Sequence, residues 1–325
     1  MEKTKINDRR TIVDFNKKSF SEYKKSDIKK ILLRELNDGN IEASCYWSAE
    51  MICSGYLLDL WENIILFISK NINMGNPNIS KYIELRYNNF KNICNNNSIL
   101  ELRNNEKIRL LFSEIIAILC LSNKKYPYTT LKIKDIDFQI INLNKKLKAE
   151  NGEYAKICFK KQDSRQYYIA INELVYHLLM TKNHSMCFYW IEWILQFTSN
   201  CKKKKIILKC ESRTFVNVDY KYKEDVIWII WEIFIKFSKK NKNLSKIIIS
   251  LLNLFCIKYK YTTKKKRKFL LYFAVSLILD DYKNTIPIFT DNTKIENVKK
   301  KIHIIYKEIK KNELKPKYDY LLNAF

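Results

Sequence analysis

Glycine and proline, the residues that most often interrupt regular structure, are rare in this sequence, with four of each among 325 residues. A β-sandwich or β-barrel of this length would need a turn every ~8–12 residues. With so few turn-forming residues, the chain is better suited to long helices joined by polar loops. Hydrophobic residues make up 47% of it, so a sizeable core can be buried in one or two domains.

Apolar residues recur at intervals of three and four along much of the chain, which is the spacing of amphipathic helices. Two such stripes run side by side through residues 44–70 and predict one long, mostly buried helix. Residues 226–237 are apolar all round except for Glu232 and Lys236, which is typical of a helix at the centre of a bundle. Further helices are predicted at 78–94, 106–121, 167–182, 185–199, 223–239, 244–259, 266–280 and 293–312.

The pattern changes in residues 123–165, where apolar and polar residues alternate around Ile136, Phe138 and Ile140. A second short segment follows the Asn151-Gly152 turn signal. We therefore predict a mostly α protein, a multi-helix bundle in two helical subdomains with a small β hairpin or extended insert between them. The boundaries expected are 1–122 (with 1–25 loosely ordered), 123–165 for the insert, and 166–325 for a basic C-terminal subdomain.

The formal net charge of +26 favours an anionic partner. Residues 201–325 hold half of the basic side chains but only about a third of the acidic ones, so the contact is expected in the last third. Only nine of the 60 basic residues are Arg, which favours non-specific attraction to phosphate over sequence-specific recognition. An A/T-rich genome could also account for part of the lysine excess.

Two dense basic runs are the candidate anion-binding residues. They are Lys202, Lys203, Lys204 and Lys205, and then Lys264, Lys265, Lys266, Arg267 and Lys268. The second run is predicted to open a helix, where each exposed positive charge opposes the helix dipole by ~0.3–1 kcal/mol, and a bound anion would relieve that cost. Alternatives are a solvated cluster or a nuclear-import signal. Tyr259 and Tyr261 flank this run and could stack on bases or simply complete the preceding helix.

The sequence predicts no catalytic residue and no cofactor, because phosphate-binding glycine loops and nucleophile motifs are absent. Glu50, Glu192 and Glu232 lie in apolar surroundings, where a carboxylate can act as an acid or base but more often pairs with a cation. No metal site is predicted, and the weak candidates for one are His184, Cys187, Cys201 and Cys210. The nine cysteines are odd in number and scattered, as expected of reduced core thiols.

The N-terminus is charged, so no secretory signal is expected. The longest apolar runs are about eleven residues, whereas a membrane span needs ~20 residues, so no transmembrane segment is expected.

Several stretches carry a family resemblance. They are residues 45–55 (Cys-Tyr-Trp-Ser-Ala-Glu-Met-Ile-Cys-Ser-Gly), Gly75-Asn76-Pro77, residues 101–105, Tyr189-Trp190-Ile191-Glu192-Trp193 and residues 254–259. On these segments the chain resembles a family of proteins of unassigned function encoded by nucleocytoplasmic large DNA viruses, of the mimivirus-like and algal-virus-like kind. The resemblance implies a location in the virion or in the cytoplasmic viral factory of the infected cell. It implies no active-site residue.

Two functions are compatible with these observations. The one that the sequence favours is a non-enzymatic structural role as a minor capsid or virion component, which contacts other viral structural proteins and an anionic layer. The alternative is a non-specific nucleic-acid-binding accessory factor in viral replication or transcription. The anionic partner could be nucleic acid, an anionic membrane surface or an acidic protein face.

Overall fold

The computed structural model of the chain describes residues 4–95, 97–282, 285–289 and 291–314. These residues form an all-α, multi-helix fold, as predicted. The α-helices are Lys25–Asp38 (α1), Ile41–Cys53 (α2), Leu57–Phe67 (α3), Ile79–Cys94 (α4), Ile99–Asn104 (α5), Glu106–Leu121 (α6), Ile140–Lys146 (α7), Tyr168–Tyr176 (α8), His184–Lys203 (α9), Ile227–Ser238 (α10), Lys242–Cys256 (α11), Thr263–Lys266 (α12), Lys268–Leu279 (α13) and Asn292–Lys310 (α14). Short π-helices follow α3 at Ile68–Ile72 and α8 at His177–Thr181.

The chain divides into two compact units. Unit 1 takes the residues up to Ile68, Leu85–Lys124 and the residues from Pro287 onward, and unit 2 takes Ser69–Glu84 and Lys125–Ile286. This division differs from the three consecutive segments expected from the sequence. Helix α14 packs on α2 and α6, so the chain returns to unit 1 after it has formed unit 2.

The core of unit 1 is built on α2, α6 and α14. Trp61 is buried against the rings of Tyr87, Phe90 and Phe112, with centroid distances of 5.1, 5.4 and 5.3 Å. Such offset and edge-on aromatic contacts add to the hydrophobic stabilisation that burial itself provides.

The predicted single helix over 44–70 is wrong in one respect, because the structure breaks it between α2 and α3. Gly55 stands at the break with a φ of 76°, a left-handed conformation that L side chains rarely adopt. A Cβ at this position would also lie 3.0 Å from the Ile99 side chain and 3.2 Å from that of Ile12. The glycine therefore permits both the turn and the close packing around it.

The first residues of the chain were expected to be loosely ordered, and this expectation is wrong for the described residues from Thr4 onward. Ile6, Phe15 and Phe20 are buried in unit 1. Arg103 donates to the carbonyl of Asp8 at 2.9 Å, and Asn104 exchanges two hydrogen bonds of 2.8 Å with the backbone of Ile6. Long-range polar contacts of this kind leave no periodic signature in the sequence.

The core of unit 2 contains α10, which packs on α11 and α13. Trp228 and Trp231 on α10 are fully buried, and both contact Phe255 of α11. The prediction of a central, all-round apolar helix at 226–237 is therefore confirmed.

The predicted β hairpin is not confirmed, since residues 123–165, all of them described, contain no strand. Residues Asp135–Phe138 and Glu153–Ile157 form 3₁₀ turns, and α7 lies between them. The Asp137 carboxylate accepts from the backbone N–H of Lys134 at 2.7 Å, a local bond that favours a turn over an extended strand. Glu173 accepts from the backbone N–H groups of Lys148 and Ala149, which fixes the middle of the segment to α8.

Candidate functional site

The two lysine runs, 60 residues apart in sequence, line the same cavity of unit 2. Lys202 lies in the last turn of α9, and Lys265 lies on α12. The Lys265 ammonium is 3.0 Å from the hydroxyl of Ser199 on α9, and the Lys202 ammonium is 5.4 Å from the ring centroid of Tyr261. The cavity has a volume of about 750 Å³, within the range of small-molecule and cofactor sites. We call it the basic pocket.

The lining of the basic pocket combines lysines, tyrosines and aliphatic residues. Its lysines are Lys202, Lys205, Lys209, Lys221, Lys264 and Lys265; its acidic residues are Glu224 and Asp225; its tyrosines are Tyr167, Tyr220 and Tyr261; and its aliphatic walls include Leu195, Ile206, Ile207, Leu208 and Val226. The pocket therefore offers a ligand both cationic side chains, from its lysines, and apolar surface, from its aliphatic residues.

Two of the six lysines are neutralised by the pocket's own acids. Lys209 lies 2.8 Å from Glu224, and the buried Lys264 contacts both oxygens of Asp225 at 2.9 and 2.7 Å. The other four are Lys202, Lys205, Lys221 and Lys265, which form no ion pair with any carboxylate in the described part of the chain. Four lysines thus line the pocket without an acidic partner among the residues described.

The buried Lys264–Asp225 pair belongs to the floor of the pocket. Asp225 also accepts from the backbone N–H of Ile227 at 3.0 Å, which holds the start of α10. The hydroxyl of Tyr259 lies 3.4 Å from the same carboxylate, and burial together with the charge of Asp225 raises the pKa of Tyr259 far above its usual value. A buried pair with further hydrogen bonds of this kind is costly to break, so we assign it a structural role.

The end of α9 explains how Lys202 and Lys205 reach the pocket. Lys202 stands in the last helical turn, where a positive charge is favourable to the helix dipole. The helix then closes with a bond from the N–H of Ile206 to the carbonyl of Cys201, and Lys205 takes a left-handed φ of 59°. Glycine is the usual residue in that conformation, so a lysine here carries backbone strain.

The pKa of Lys265 is lowered from its usual value of 10.5 by burial, and further by the positive charges of Lys203, Lys264 and Lys268. The charge of Lys203, from the first run, acts on a lysine of the second. The two runs are therefore close enough to repel each other, and an anion placed between them would reduce that repulsion.

Two tyrosines stand in the pocket with accessible rings. Tyr261 is 44% exposed; its hydroxyl donates to the carbonyl of Lys221 at 2.7 Å, and its ring meets that of Tyr222 edge-on at 4.9 Å. Tyr220 is 77% exposed. Tyr259, suggested from the sequence as a stacking residue, is buried and faces Asp225 instead.

The remaining members of the two runs have other surroundings. Lys203, Lys204 and Lys266 are exposed but do not line the basic pocket. Arg267 is buried, and its guanidinium donates to the carbonyls of Leu254, Phe255 and Ile257 at the end of α11, at 3.2, 2.7 and 2.6 Å.

Arg267 and Lys268 are therefore corrected from anion-binding candidates to structural residues. Arg267 satisfies carbonyls that the end of α11 leaves without helical partners. Lys268 pairs with Glu192 at 2.6 Å, and Tyr272 donates to the same carboxylate at 2.6 Å.

The other two carboxylates considered as acid or base candidates are also held by partners. Glu50 accepts from the backbone and hydroxyl of Ser21 at 2.6 and 2.9 Å. Glu232 pairs with Arg213 and Lys236, both at 2.9 Å.

The weak metal candidates are not brought together. His184 lies 3.0 Å from Asp280, and Cys187 is fully buried in α9. In residues 4–95, 97–282, 285–289 and 291–314, no group of three or more His, Cys, Asp or Glu side chains is placed to hold a metal ion. Cys201 and Cys210 are buried, and their thiols are free.

Sequence reasoning missed Lys209, Lys221 and Tyr220, which the pocket adds to the two runs. The sequence held a signal for Lys221 and Tyr220, because Tyr and Lys alternate through residues 220–223 as they do through 258–261. Basic and aromatic residues interleaved in this way are typical of nucleic-acid-binding surfaces.

None of the described helices has the length and apolar character required to cross a bilayer. Comparison of the chain with protein-family models, with curated proteins and with solved structures gives no match.

Proposed function

We propose that this chain is a nucleic-acid-binding accessory protein that holds phosphates with the lysines of the basic pocket. The observation that carries the proposal is the convergence of Lys202, Lys205, Lys221 and Lys265 on one cavity without carboxylate partners among the described residues. Nucleic acid carries regularly spaced phosphates, and neutralising them with lysines releases counterions and provides most of non-specific affinity.

Nucleic acid fits this pocket better than the other anionic partners expected from the sequence. A lipid surface presents its headgroups in a plane, whereas these lysines surround a cavity with apolar walls and two accessible tyrosine rings. Nucleic acids pair phosphates with planar aromatic bases, so both kinds of lining residue have a counterpart in the ligand.

The test is a comparison of two triple variants in a fluorescence-anisotropy assay with a labelled oligonucleotide. The pocket variant carries Lys202→Gln, Lys205→Gln and Lys221→Gln. We expect it to bind about 100-fold more weakly at about 0.1 M salt, because each lost phosphate contact on a single strand changes log K by about 0.7 per decade of salt.

The matched control carries the same change of charge on three exposed lysines of unit 2 that do not line the pocket: Lys239→Gln, Lys240→Gln and Lys242→Gln. We expect its affinity to stay within about fivefold of the wild type, as for one lost contact or fewer. Equal losses in both variants would mean that the net charge of the chain, and not the pocket, attracts nucleic acid. No salt-sensitive binding of any oligonucleotide by the wild type would rule out the proposal.

A second candidate function is the structural role in a virus particle, as a minor capsid or virion component. It is favoured by the exposed apolar side chains of Ile136, Ile140 and Ile141, which are 52%, 75% and 73% exposed. Their segment is anchored to α9 through Phe138, whose ring packs 5.2 Å from that of Trp193. Apolar residues grouped on a surface in this way are typical of protein–protein contacts.

This second function is tested by mass spectrometry of purified virions, in which a structural component is present at high copy number. Absence of the chain from virions would exclude the structural role and leave the nucleic-acid-binding proposal unaffected.

A further inference from the structure

The lysines alone do not account for the lining of the basic pocket. Phosphate contact requires cations at the rim, yet the cavity also has aliphatic walls at Ile206, Ile207 and Leu208, and two exposed tyrosine rings. Ile207 is 81% exposed and Tyr220 is 77% exposed, so apolar surface remains open to a ligand. An apolar lining with a few charged groups is typical of a pocket that receives a flat organic group.

Tyr261 is held in place for such a contact. Its hydroxyl is tied to the Lys221 carbonyl and its edge rests on Tyr222, so the ring is fixed at two points while 44% of the residue stays exposed. The Lys202 ammonium lies 5.4 Å from its centroid. Lys202 is itself exposed, so its flexible side chain can leave the ring when a base arrives and meet a neighbouring phosphate.

We propose that the basic pocket takes an unpaired base of a single-stranded nucleic acid against Tyr261 and Tyr220, while the surrounding lysines hold the adjacent phosphates. This inference rests on the proposed function, and it adds the selection of single strands over duplexes. In a duplex every base is stacked between its neighbours, and a concave pocket can receive one only after it has been extruded from the stack. A single strand offers its bases without that cost, and stacking on aromatic rings tolerates any base.

The first test changes the ligand and leaves the protein intact. The full chain is titrated against three probes of about 12 nucleotides, a length within the usual site sizes: oligothymidine, a strand of abasic sites with the same phosphates, and a duplex. We expect oligothymidine to bind at least about tenfold more tightly than either of the others, since removing one stacked base costs that much. Equal affinity for oligothymidine and the abasic strand would overturn the inference and leave the proposed function standing.

The second test changes the tyrosines. Tyr261→Leu removes the aromatic ring but keeps an apolar side chain, and Tyr220→Ala truncates a side chain that is already 77% exposed and so leaves folding intact. We expect each to weaken oligothymidine binding by about tenfold and to leave abasic-strand binding unchanged. Tyr261→Phe, which keeps the ring, should retain most of the affinity.

The matched control is Tyr126→Ala, at a tyrosine of the same unit that is 95% exposed and does not line the pocket. Its binding should equal that of the wild type. If the triple lysine variant loses binding but neither tyrosine variant does, phosphate contact is real and base insertion is not. If no probe binds, or if anionic vesicles bind through the same lysines and oligonucleotides do not, the proposed function fails along with the inference.

Discussion

The salt dependence of oligonucleotide binding gives the most quantitative test of the basic pocket. Lys202, Lys205, Lys221 and Lys265 line it without carboxylate partners in the described part of the chain, so up to four phosphates can be neutralised. For a single strand, log K falls with log salt by about 0.7 per neutralised phosphate, which gives a slope of about −2.8 for four contacts. Between about 50 and 200 mM salt the affinity should then fall about 50-fold.

The triple variant Lys202→Gln, Lys205→Gln, Lys221→Gln retains one of the four lysines, Lys265. Its slope should be about −0.7, which corresponds to a fall of about threefold over the same salt range. Because counterion release vanishes near 1 M salt, the affinities of wild type and variant should converge there. Anisotropy titrations of labelled oligothymidine at five or so salt concentrations measure both slopes.

Two results would refute this reasoning. A variant slope equal to that of the wild type would place the phosphate contacts outside the basic pocket. A wild-type slope well beyond about −2.8 would mean that the pocket lysines are a minor part of the phosphate-binding surface. The control variant at Lys239, Lys240 and Lys242 should keep the wild-type slope.

Three further predictions concern single residues. Arg213 is 1% exposed and forms a fork with Asp163 at 2.6 and 2.8 Å, so Arg213→Met should lower the free energy of unfolding in urea by about 3–5 kcal/mol; a loss below about 1 kcal/mol would contradict a structural role for the pair. Lys205→Gly should weaken oligonucleotide binding and raise the free energy of unfolding by about 0 to 1 kcal/mol, because glycine relieves the strain of the left-handed φ but loses more backbone entropy on folding. A marked destabilisation would show that Lys205 supports the fold. Bound phosphate favours the protonated form of Lys265, so the affinity for oligonucleotide should be full below the lowered pKa of Lys265 and should decline as the pH rises through it. In the Lys265→Arg variant this decline should begin at a higher pH, and identical pH profiles of the two proteins would exclude a phosphate contact at Lys265.

The helical character of this protein was predictable from local pattern. The apolar run at 226–237 became the central helix α10, and the stripe at 293–312 became α14, because a repeat of 3.6 residues is a property of neighbours in sequence. The break at Gly55 was missed for the opposite reason. The apolar stripes continue across it, and the glycine is explained by the left-handed turn and by the side chains of Ile12 and Ile99 that pack around it.

The insert illustrates a limit of the alternating pattern. Ile136, Phe138 and Ile140 have the period of a strand, but a strand needs a neighbouring strand to satisfy its backbone groups. In the described chain these residues close local turns, and Phe138 packs on Trp193 while the two isoleucines stay exposed. Whether an alternating segment finds a partner strand depends on the rest of the fold.

The sequence by itself determined the α-helical class, the positive charge and the two runs in which that charge is densest. Only the tertiary structure decided what each charge does. Lys264 meets Asp225 from 39 positions away, and Arg267 caps a helix that precedes it, whereas Lys202 and Lys265 are left facing one cavity. The physical reason is that charge is fixed by composition, while its pairing and its burial depend on which distant residues the packed helices bring within a few ångströms.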